Sequence, residues 1–199
     1  VPTCTGSLRV VEDSQGAWAG GNGATIWDCA LLLAGFLQLQ GGLAGARALE
    51  LGAGTGLVGM CLAKLGARVV LTERALALPL LRRNLQENGL SDAASAAELT
   101  WGASPLPAPV AAETPFDVVV GSDLVFPNNA ECHGALLQTL GDVMGPSTRC
   151  WLGYEPREKE TDEAFMHALR QRFDVHREVG EALPPDSPED LWILRLRAR

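Results

Sequence analysis

Three glycines at alternate positions, Gly52, Gly54 and Gly56, form the segment of this 199-residue sequence whose spacing most strongly suggests chemistry. They follow the short apolar run 47–51 and precede a helical pattern, so the chain must turn sharply from a strand into a helix. Glycine tolerates positive φ and lets a ligand approach the backbone, and a helix N-terminus favours an anion or a carboxylate. The turn therefore predicts a binding loop, with Gly52, Ala53 and Gly54 against the ligand.

Two carboxylates flank this turn. Glu50 precedes Gly52, and Glu73 ends the next apolar run at a distance from Gly54 that also suits a dinucleotide fold. Two cofactor classes therefore compete. A pyrophosphate would be repelled by Glu50, whereas the amino group of S-adenosylmethionine would be attracted, and Glu73 would then accept hydrogen bonds from both ribose hydroxyls. The alternative for Glu50 is that it only caps or orders the glycine loop.

A nicotinamide-dependent oxidoreductase is the competing enzyme class. Its commonest version needs a tyrosine and a lysine at short spacing, but the only tyrosine is Tyr154 and the only lysines are Lys64 and Lys159. The three histidines are scattered and form no cluster at ligand spacing, so we expect no metal site. No arrangement of a nucleophile and its base emerges either.

The apolar periodicity alternates between helical and strand-like segments, which is typical of repeated βα units. It predicts an α/β fold, a three-layer sandwich with a mostly parallel seven-stranded sheet that ends in an antiparallel hairpin. The predicted strands are 47–51, 68–73, 96–101, 116–121, 149–154, 173–179 and 191–196. The predicted helices are 24–39, 57–65, 75–88, 129–144 and 161–172. The proline-rich stretch 102–115 is expected to be a loop.

Composition restricts the class of protein. The chain has 16 Lys and Arg against 24 Asp and Glu, a net charge of −8, which argues against nucleic acid as the main partner. Five cysteines without a CxxC pair indicate a reducing compartment. The longest apolar run, 29–37, is shorter than the roughly 20 residues that cross a membrane. We expect a cytoplasmic monomer with one domain, in which 1–23 is an N-terminal extension and 24–199 the core.

Several segments together resemble one family. ELGAGTG followed by VVLTE resembles the first motif, and its acidic partner, of the seven-β-strand S-adenosylmethionine-dependent methyltransferases. The segment SDLVF resembles the (D/E)xx(Y/F) signature that follows their fourth strand. With GATIWD, LTWG, YEPR and DLWI, the sequence resembles the family-16 protein-lysine methyltransferases, a family that includes the enzyme acting on valosin-containing protein. The resemblance spans roughly residues 8–197 and implies the Rossmann-like methyltransferase fold.

The resemblance also implies roles on the cofactor side. Trp27 would lie beside S-adenosylmethionine, and Trp101 would flank its adenine ring with a broad π face. Ser122, at the end of the fourth strand, would be the small residue next to the cofactor. These three residues join Glu50 and Glu73 as expected cofactor-binding side chains.

On the acceptor side, the signature places Asp123 and Phe126 at one mouth of the pocket. Asp123 would orient an incoming ammonium group, and Phe126 would hold the aliphatic stem or the charge of the amine. Phe126 stands where many relatives have tyrosine, so a role that needs a hydroxyl is lost there. The alternative is that Asp123 caps the helix that begins near Asn128. The family also keeps a glutamate near the pocket at the position of Glu155.

The resemblance implies a protein-lysine N-methyltransferase whose substrate is a chaperone, an ATPase or a translation factor. The donor is already activated, so catalysis would come mainly from proximity and alignment, and no dedicated base is assigned. The same fold serves methyltransferases for arginine, histidine or small molecules. A non-catalytic cofactor-binding protein is the third alternative.

Overall fold

The computed structural model describes residues 1–3, 6–13 and 24–199. Gly23, which opens the GATIWD segment, lies outside the described residues, as do 4–5 and 14–22 of the expected N-terminal extension. The boundary between extension and core at residue 23 therefore stays a prediction. No helix in the described ranges is long and apolar enough to cross a membrane.

The described residues form strands and helices that alternate through most of the chain. The strands are β1 (Pro2–Thr3), β2 (Gly6–Ser7), β3 (Arg47–Leu51), β4 (Arg68–Glu73), β5 (Ala94–Glu98), β6 (Phe116–Ser122), β7 (Met144–Tyr154), β8 (Phe173–Arg177) and β9 (Trp192–Ala198). The α-helices are α1 (Asp28–Gln38), α2 (Leu57–Lys64), α3 (Leu78–Glu87), α4 (Ala108–Ala111), α5 (His133–Val143) and α6 (Lys159–Arg172). Short 3₁₀ helices lie at Ala75–Ala77, Pro127–Cys132 and Gly180–Ala182.

Seven of the strands build one sheet in the order β5-β4-β3-β6-β7-β9-β8. The strands from β5 to β7 in this order are parallel, whereas β9 runs antiparallel to both β7 and β8. The predicted mostly parallel sheet with a terminal antiparallel hairpin is therefore confirmed. The strand order reverses at β3, which has β4 on one side and β6 on the other, and ligands bind beyond the carboxyl ends of strands at such a point.

The sheet lies between two layers of helices. On β6, Val118 and Val120 pack into the apolar cluster that contains α1, α2 and α3, while Val119 packs into the cluster that contains α5 and α6. Both faces of the strand are thus covered, which explains why the central strands are almost continuously apolar. The three-layer arrangement fixes the carboxyl ends of β3, β4 and β6 at one edge of the molecule.

The first helix begins later than predicted. The expected helix 24–39 starts only at Asp28, and Trp27 before it has extended backbone angles. The backbone N–H of Ile26 instead donates to the Glu12 carboxylate at 2.7 Å, and the Ala24 carbonyl accepts from Asp13. The residues before the helix are therefore held by the N-terminal segment, a long-range contact that periodicity does not report.

Other boundaries shift for similar reasons. The strand expected at 96–101 is Ala94–Glu98, because the chain turns after Leu99 and reaches Gly102 with positive φ. The helix expected at 129–144 begins only at His133. Its last predicted residue, Met144, opens β7 and pairs with Phe116. The loop 102–115 contains the short helix α4, and the remaining elements differ from prediction only at their ends.

Candidate active site

One cavity of about 540 Å³ opens at the carboxyl ends of the central strands. All ten residues that the sequence analysis singled out as site residues line it. They are Trp27, Glu50, Gly52, Ala53, Gly54, Glu73, Trp101, Ser122, Asp123 and Phe126. Their positions in the chain span a hundred residues, so it is the strand order that brings them together. Lining residues that sequence reasoning missed include Thr25, Arg74 and Asn129.

The floor of the cavity is the glycine turn between β3 and α2. Gly52, Gly54 and Gly56 have φ values of 58°, 53° and 83°, a region that L side chains rarely adopt. A Cβ at Gly52 would lie 2.7 Å from Leu124 and 3.4 Å from Trp101. The turn therefore needs glycine both for its backbone angles and for the close approach of the cavity walls.

Glu50 is a buried carboxyl group below this turn. It is 1% exposed, and its Oε2 accepts a hydrogen bond from the backbone N–H of Gly59 at 2.8 Å. Burial raises its pKa to about 8, the Gly59 hydrogen bond opposes the rise, and the charge of Glu73 adds to it. Glu50 thus makes a structural contact with the first turn of α2. It also lines the cavity, so both the structural and the binding interpretation of this residue stay open.

A buried carboxyl group of this kind suits a cationic ligand. Desolvation penalises the charged form of Glu50, and its charged neighbour Glu73 is another acid. A ligand ammonium group in the cavity would supply the missing positive charge. The residues present therefore fit the amino-acid part of S-adenosylmethionine, and they do not fit a pyrophosphate.

Glu73 and Trp101 form the next part of the wall. Glu73 ends β4 with a side chain 13% exposed, and one of its oxygens accepts from the backbone N–H of Arg74 at 2.7 Å. Trp101 lies in the turn after β5, and the backbone N–H of Leu99 just before it donates to the Glu73 carbonyl. A carboxylate for hydroxyl groups and an aromatic face for a base are thus adjacent, as a nucleoside requires.

Asp123 occupies the opposite end of the cavity, and Arg157 is its partner. The carboxylate receives both arms of the guanidinium, at 2.6 Å on Oδ1 and 2.8 Å on Oδ2. The Asp123 side chain is 2% exposed. Helix capping is therefore not its role, and that alternative is wrong. Phe126 and Asn129 make the capping contacts before α5 instead.

Aromatic rings complete this end of the cavity. Trp27 and Phe126 meet edge to face with centroids 6.2 Å apart, and the Arg157 guanidinium lies 4.7 Å from the Phe126 centroid. Glu155 binds the same guanidinium at 2.7 Å but does not line the cavity. Glu155 is therefore connected to the cavity indirectly, through Arg157 and the lining residue Asp123.

Asn129 holds the loop that carries Asp123 and Phe126. Its side chain accepts from the Phe126 backbone N–H at 2.8 Å and donates to the Leu124 carbonyl at 3.0 Å. The ring of His133 lies 3.0 Å from the same Asn129 oxygen, and burial lowers the pKa of this histidine. The loop that carries Asp123 and Phe126 is thus held by a local hydrogen-bond network.

Comparison with known proteins gives one family match and several relatives. A family model described as "Lysine methyltransferase" matches residues 7–172. The protein N-lysine methyltransferase METTL21A of Danio rerio is 38% identical over 179 residues, 88% of this chain and 77% of that protein. METTL21A of Mus musculus is 36% identical and covers 78% of this chain and 70% of its own length. EEF1A lysine methyltransferase 3 of Xenopus tropicalis is 33% identical, over 85% of this chain and 74% of its own.

Solved structures with the same fold are more distant in sequence. The mitomycin 7-O-methyltransferase MmcR matches with a TM-score of 0.65 and 17% identity, over 85% of this chain and 54% of that one. The 16S rRNA methyltransferase RsmC of T. thermophilus, solved with AdoMet and guanosine, gives a TM-score of 0.63 at 23% identity. It covers 88% of this chain and 44% of its own. At sequence identities below 25%, these two matches show that the fold is shared and carry no conclusion about activity.

Proposed function

This chain belongs to the lysine methyltransferase family and is an S-adenosylmethionine-dependent protein-lysine methyltransferase; from that premise we propose which residues hold the donor and the acceptor. The proposal depends on one observation, the single cavity onto which the glycine turn, its two flanking carboxylates and the Asp123 loop all open. The donor end lies at β3 and β4, and the acceptor end lies beyond β6.

At the donor end, the chain offers a complementary group to each part of S-adenosylmethionine. Glu50 holds the ammonium group, and the backbone of the turn at Gly52 and Gly54, before the N-terminus of α2, holds the carboxylate. Glu73 accepts from the ribose hydroxyls, and Trp101 flanks the adenine. Ala53, Ser122 and Trp27 complete the lining. The cofactor supplies an electrophilic methyl group.

At the acceptor end, the aromatic wall receives a lysine side chain. Phe126 and Trp27 are apolar surfaces against which the aliphatic stem of lysine can lie. The lysine must lose a proton before it can attack, since its ordinary pKa is about 10.4. Contact with these rings would remove water from the amine and favour its neutral form, so binding against the wall would assist deprotonation. Asp123 and Arg157 form an ion pair at this end of the cavity.

The setting of the reaction is part of the proposal. We place it in the cytoplasm and assign a monomer that binds neither nucleic acid nor membranes. The net charge of −8 supports the exclusion of nucleic acid. Among the described residues, Cys29, Cys61, Cys132 and Cys150 are not in disulfide bonds, which suits a reducing compartment, while Cys4 lies outside the described residues. A chaperone, an ATPase or a translation factor remains the proposed target class, and two of the relatives are named for EEF1A.

The test is transfer of a labelled methyl group. Purified protein is incubated with labelled S-adenosylmethionine and a cell extract, and the labelled residue is identified by mass spectrometry. We expect the label on lysine nitrogen of a protein, and we expect excess S-adenosylhomocysteine to suppress it. Label on arginine, histidine or a small molecule would contradict the proposed acceptor. Unchanged binding of S-adenosylhomocysteine after Glu50→Gln and Trp101→Ala would contradict the assignment of the donor end.

A further inference from the structure

Arg157 follows β7 and contacts several residues of the acceptor end. The roles proposed above do not account for these contacts. Its guanidinium binds both oxygens of Asp123 and one of Glu155, and it lies against the rings of Phe126 and Trp27. We infer that Arg157 is the positioning residue of the acceptor end, which fixes the Asp123 carboxylate and the aromatic wall in one geometry. This inference rests on the proposed function, since it takes that end of the cavity as the lysine site.

The first support is the conformation of Asp123. Its φ of 55° lies in the left-handed region, which is uncommon for a residue other than glycine. Such a backbone persists only where surrounding contacts over-determine it. Here the backbone N–H donates to the Gly153 carbonyl at 2.9 Å, and the side chain is bound at both oxygens by Arg157. Arg157 and β7 together therefore hold Asp123 in place.

The second support is the stack of rings on the guanidinium. The Arg157 Cζ lies 4.7 Å from the Phe126 centroid and 6.0 Å from the Trp27 centroid, and the two rings also touch each other edge to face. A planar guanidinium can stack on a ring while its edge forms a two-pronged ion pair, which an ammonium group cannot do. One side chain thus links the carboxylate to both rings.

This arrangement changes what Asp123 can do. Each of its oxygens accepts a charge-assisted hydrogen bond from Arg157, and the guanidinium already offsets the negative charge that would attract an incoming lysine ammonium. Asp123 instead keeps Arg157 oriented against the aromatic wall. The acceptor is recognised by the shape of that wall, and its amine is not held as a protonated ion pair.

A metal site does not explain the cluster. Ligand atoms of Cys29, Asp123 and Glu155 lie within 4.8 Å of one another. Both carboxylates are bound by Arg157, however, and burial together with the charge of Asp123 raises the pKa of the Cys29 thiol. A protonated thiol beside two carboxylates that already bind Arg157 is a poor ligand set.

A matched control exists in the same chain. Arg177 lies 4.4 Å from the centroid of Trp192 in the terminal hairpin and donates to the Glu189 carbonyl. Arg177 is thus a second arginine stacked on a tryptophan, and its partner Trp192, unlike Trp27, does not line the cavity. The indole N–H resonances of both tryptophans can be assigned in NMR spectra from Trp27→Phe and Trp192→Phe.

The first experiment tests the positioning without turnover. Arg157→Lys is expected to shift the Trp27 indole resonance and leave that of Trp192, while Arg177→Lys is expected to do the reverse. An unmoved Trp27 resonance in Arg157→Lys would overturn the inference. Arg157→Gln, which keeps the length of a polar side chain but no charge, serves as the second variant if the lysine variant melts early.

The second experiment tests the consequence for the reaction. In Arg157→Lys we expect kcat for methyl transfer to fall at least about tenfold, while S-adenosylhomocysteine affinity stays within about twofold of the wild type. Arg177→Lys should match the wild type in both. Unchanged kcat, or a parallel loss of kcat, cofactor affinity and melting temperature, would overturn the inference. A wild type that labels no lysine would refute the proposed function, and the NMR result would still decide the positioning.

Discussion

Glu50 illustrates how a single carboxyl group can serve structure and binding together. One oxygen holds the first turn of α2 through Gly59, and the group also lines the cavity floor. A methyl group at Gly59 would lie 2.5 Å from that oxygen, so the glycine is required for the contact. Glu50 therefore both holds the start of α2 and places a carboxyl group in the cavity.

The raised pKa of Glu50 predicts a pH dependence of stability. The folded protein holds this proton up to about pH 8, whereas in the unfolded chain the group titrates at its ordinary value of 4.5. The folded state thus binds the proton more tightly, and the free energy of unfolding should fall as pH rises from 4.5 to 8. Urea unfolding at several pH values measures this, and Glu50→Gln should flatten the slope. If the free energy of unfolding of Glu50→Gln still falls with pH over this range, the pH dependence comes from other titratable groups.

Glu73 permits a test of the ribose assignment at one residue. Glu73→Ala should weaken S-adenosylhomocysteine binding by about ten- to a hundredfold, the loss of roughly 1.5–3 kcal/mol expected for hydrogen bonds to a charged group. Isothermal titration calorimetry measures the affinity. Glu98 is the control, because it pairs with Glu73 in the sheet register, is exposed and does not line the cavity. Equal affinities for the two alanine variants would remove Glu73 from the ribose site.

For individual residues, the sequence predicted which side chains belong to the site. It did not predict which distant side chains they contact. The glycine turn and the SDLVF segment placed Asp123 and Phe126 at the site because their spacing is local. Asp123 and Arg157 are 34 residues apart and meet only because β6 and β7 are neighbours. Arg157 was visible in the YEPR segment, yet nothing in the spacing indicated which carboxylate it would bind.

Among the elements, α3 fastens the N-terminal segment to the cofactor loop. Asn84 on α3 and Asn88, which directly follows α3, each form a pair of hydrogen bonds with the backbone of the N-terminal segment through the side-chain amide. Asn84 accepts from the N–H of Val11 and donates to its carbonyl, and Asn88 does the same with Arg9. Asn84 alone of the two also donates to the carbonyl of Thr55 in the glycine turn, at 2.9 Å.

This difference predicts different effects of two matched substitutions. Asn84→Ala should lower the free energy of unfolding by about 1–3 kcal/mol because its hydrogen bonds are buried or partly buried, and Asn88→Ala by about 0.5–1.5 kcal/mol because its hydrogen bonds with Arg9 are exposed. Only Asn84→Ala should also weaken S-adenosylhomocysteine binding, by about tenfold, because the turn loses its support at Thr55. Calorimetry on both variants, below their melting temperatures, makes the comparison. A similar loss of affinity in both would mean that the N-terminal segment as a whole supports the loop.

Two helical glycines predict opposite responses to alanine. In Gly59→Ala, the new methyl group would meet Glu50 and Leu71 at 2.5 Å, so we expect a loss of about 1–3 kcal/mol from overpacking. Gly141 in α5 has nothing within 4 Å of the same atom. Gly141→Ala should therefore add about 0.5–1 kcal/mol through helix propensity. Urea unfolding distinguishes the two, and a stabilised Gly59→Ala would show that Glu50 is not tightly packed.

Element types were predictable, but their ends were not. The central strands have continuous apolar runs, and their bounds at Arg47–Leu51 and Arg68–Glu73 agree with the sequence pattern. The start of α1 was predicted too early because Glu12 holds the backbone at Ile26. Periodicity reports which face a residue buries, whereas these ends depend on contacts with distant parts of the chain.

For the whole molecule, the strand order explains why residues far apart in the sequence could be predicted to line one site. Parallel strands of one sheet have their carboxyl ends at the same edge, and the order β4-β3-β6 makes the ends of these three strands neighbours. The family assignment from the sequence is confirmed by the family model and by the lysine methyltransferase relatives. The roles of the site residues stay predictions, and the experiments above address them one by one.

The position of β9 has a consequence for how the protein is made. This strand lies between β7 and β8 in the sheet although it follows both in the chain. During translation, β7 and β8 therefore leave the ribosome before the strand that pairs with both of them. The edges that pair with it stay open until the segment Trp192–Ala198 has emerged. A ribosome stalled before that segment would display one open edge of β7 and both edges of the unpaired β8, the type of surface that chaperones shield from aggregation.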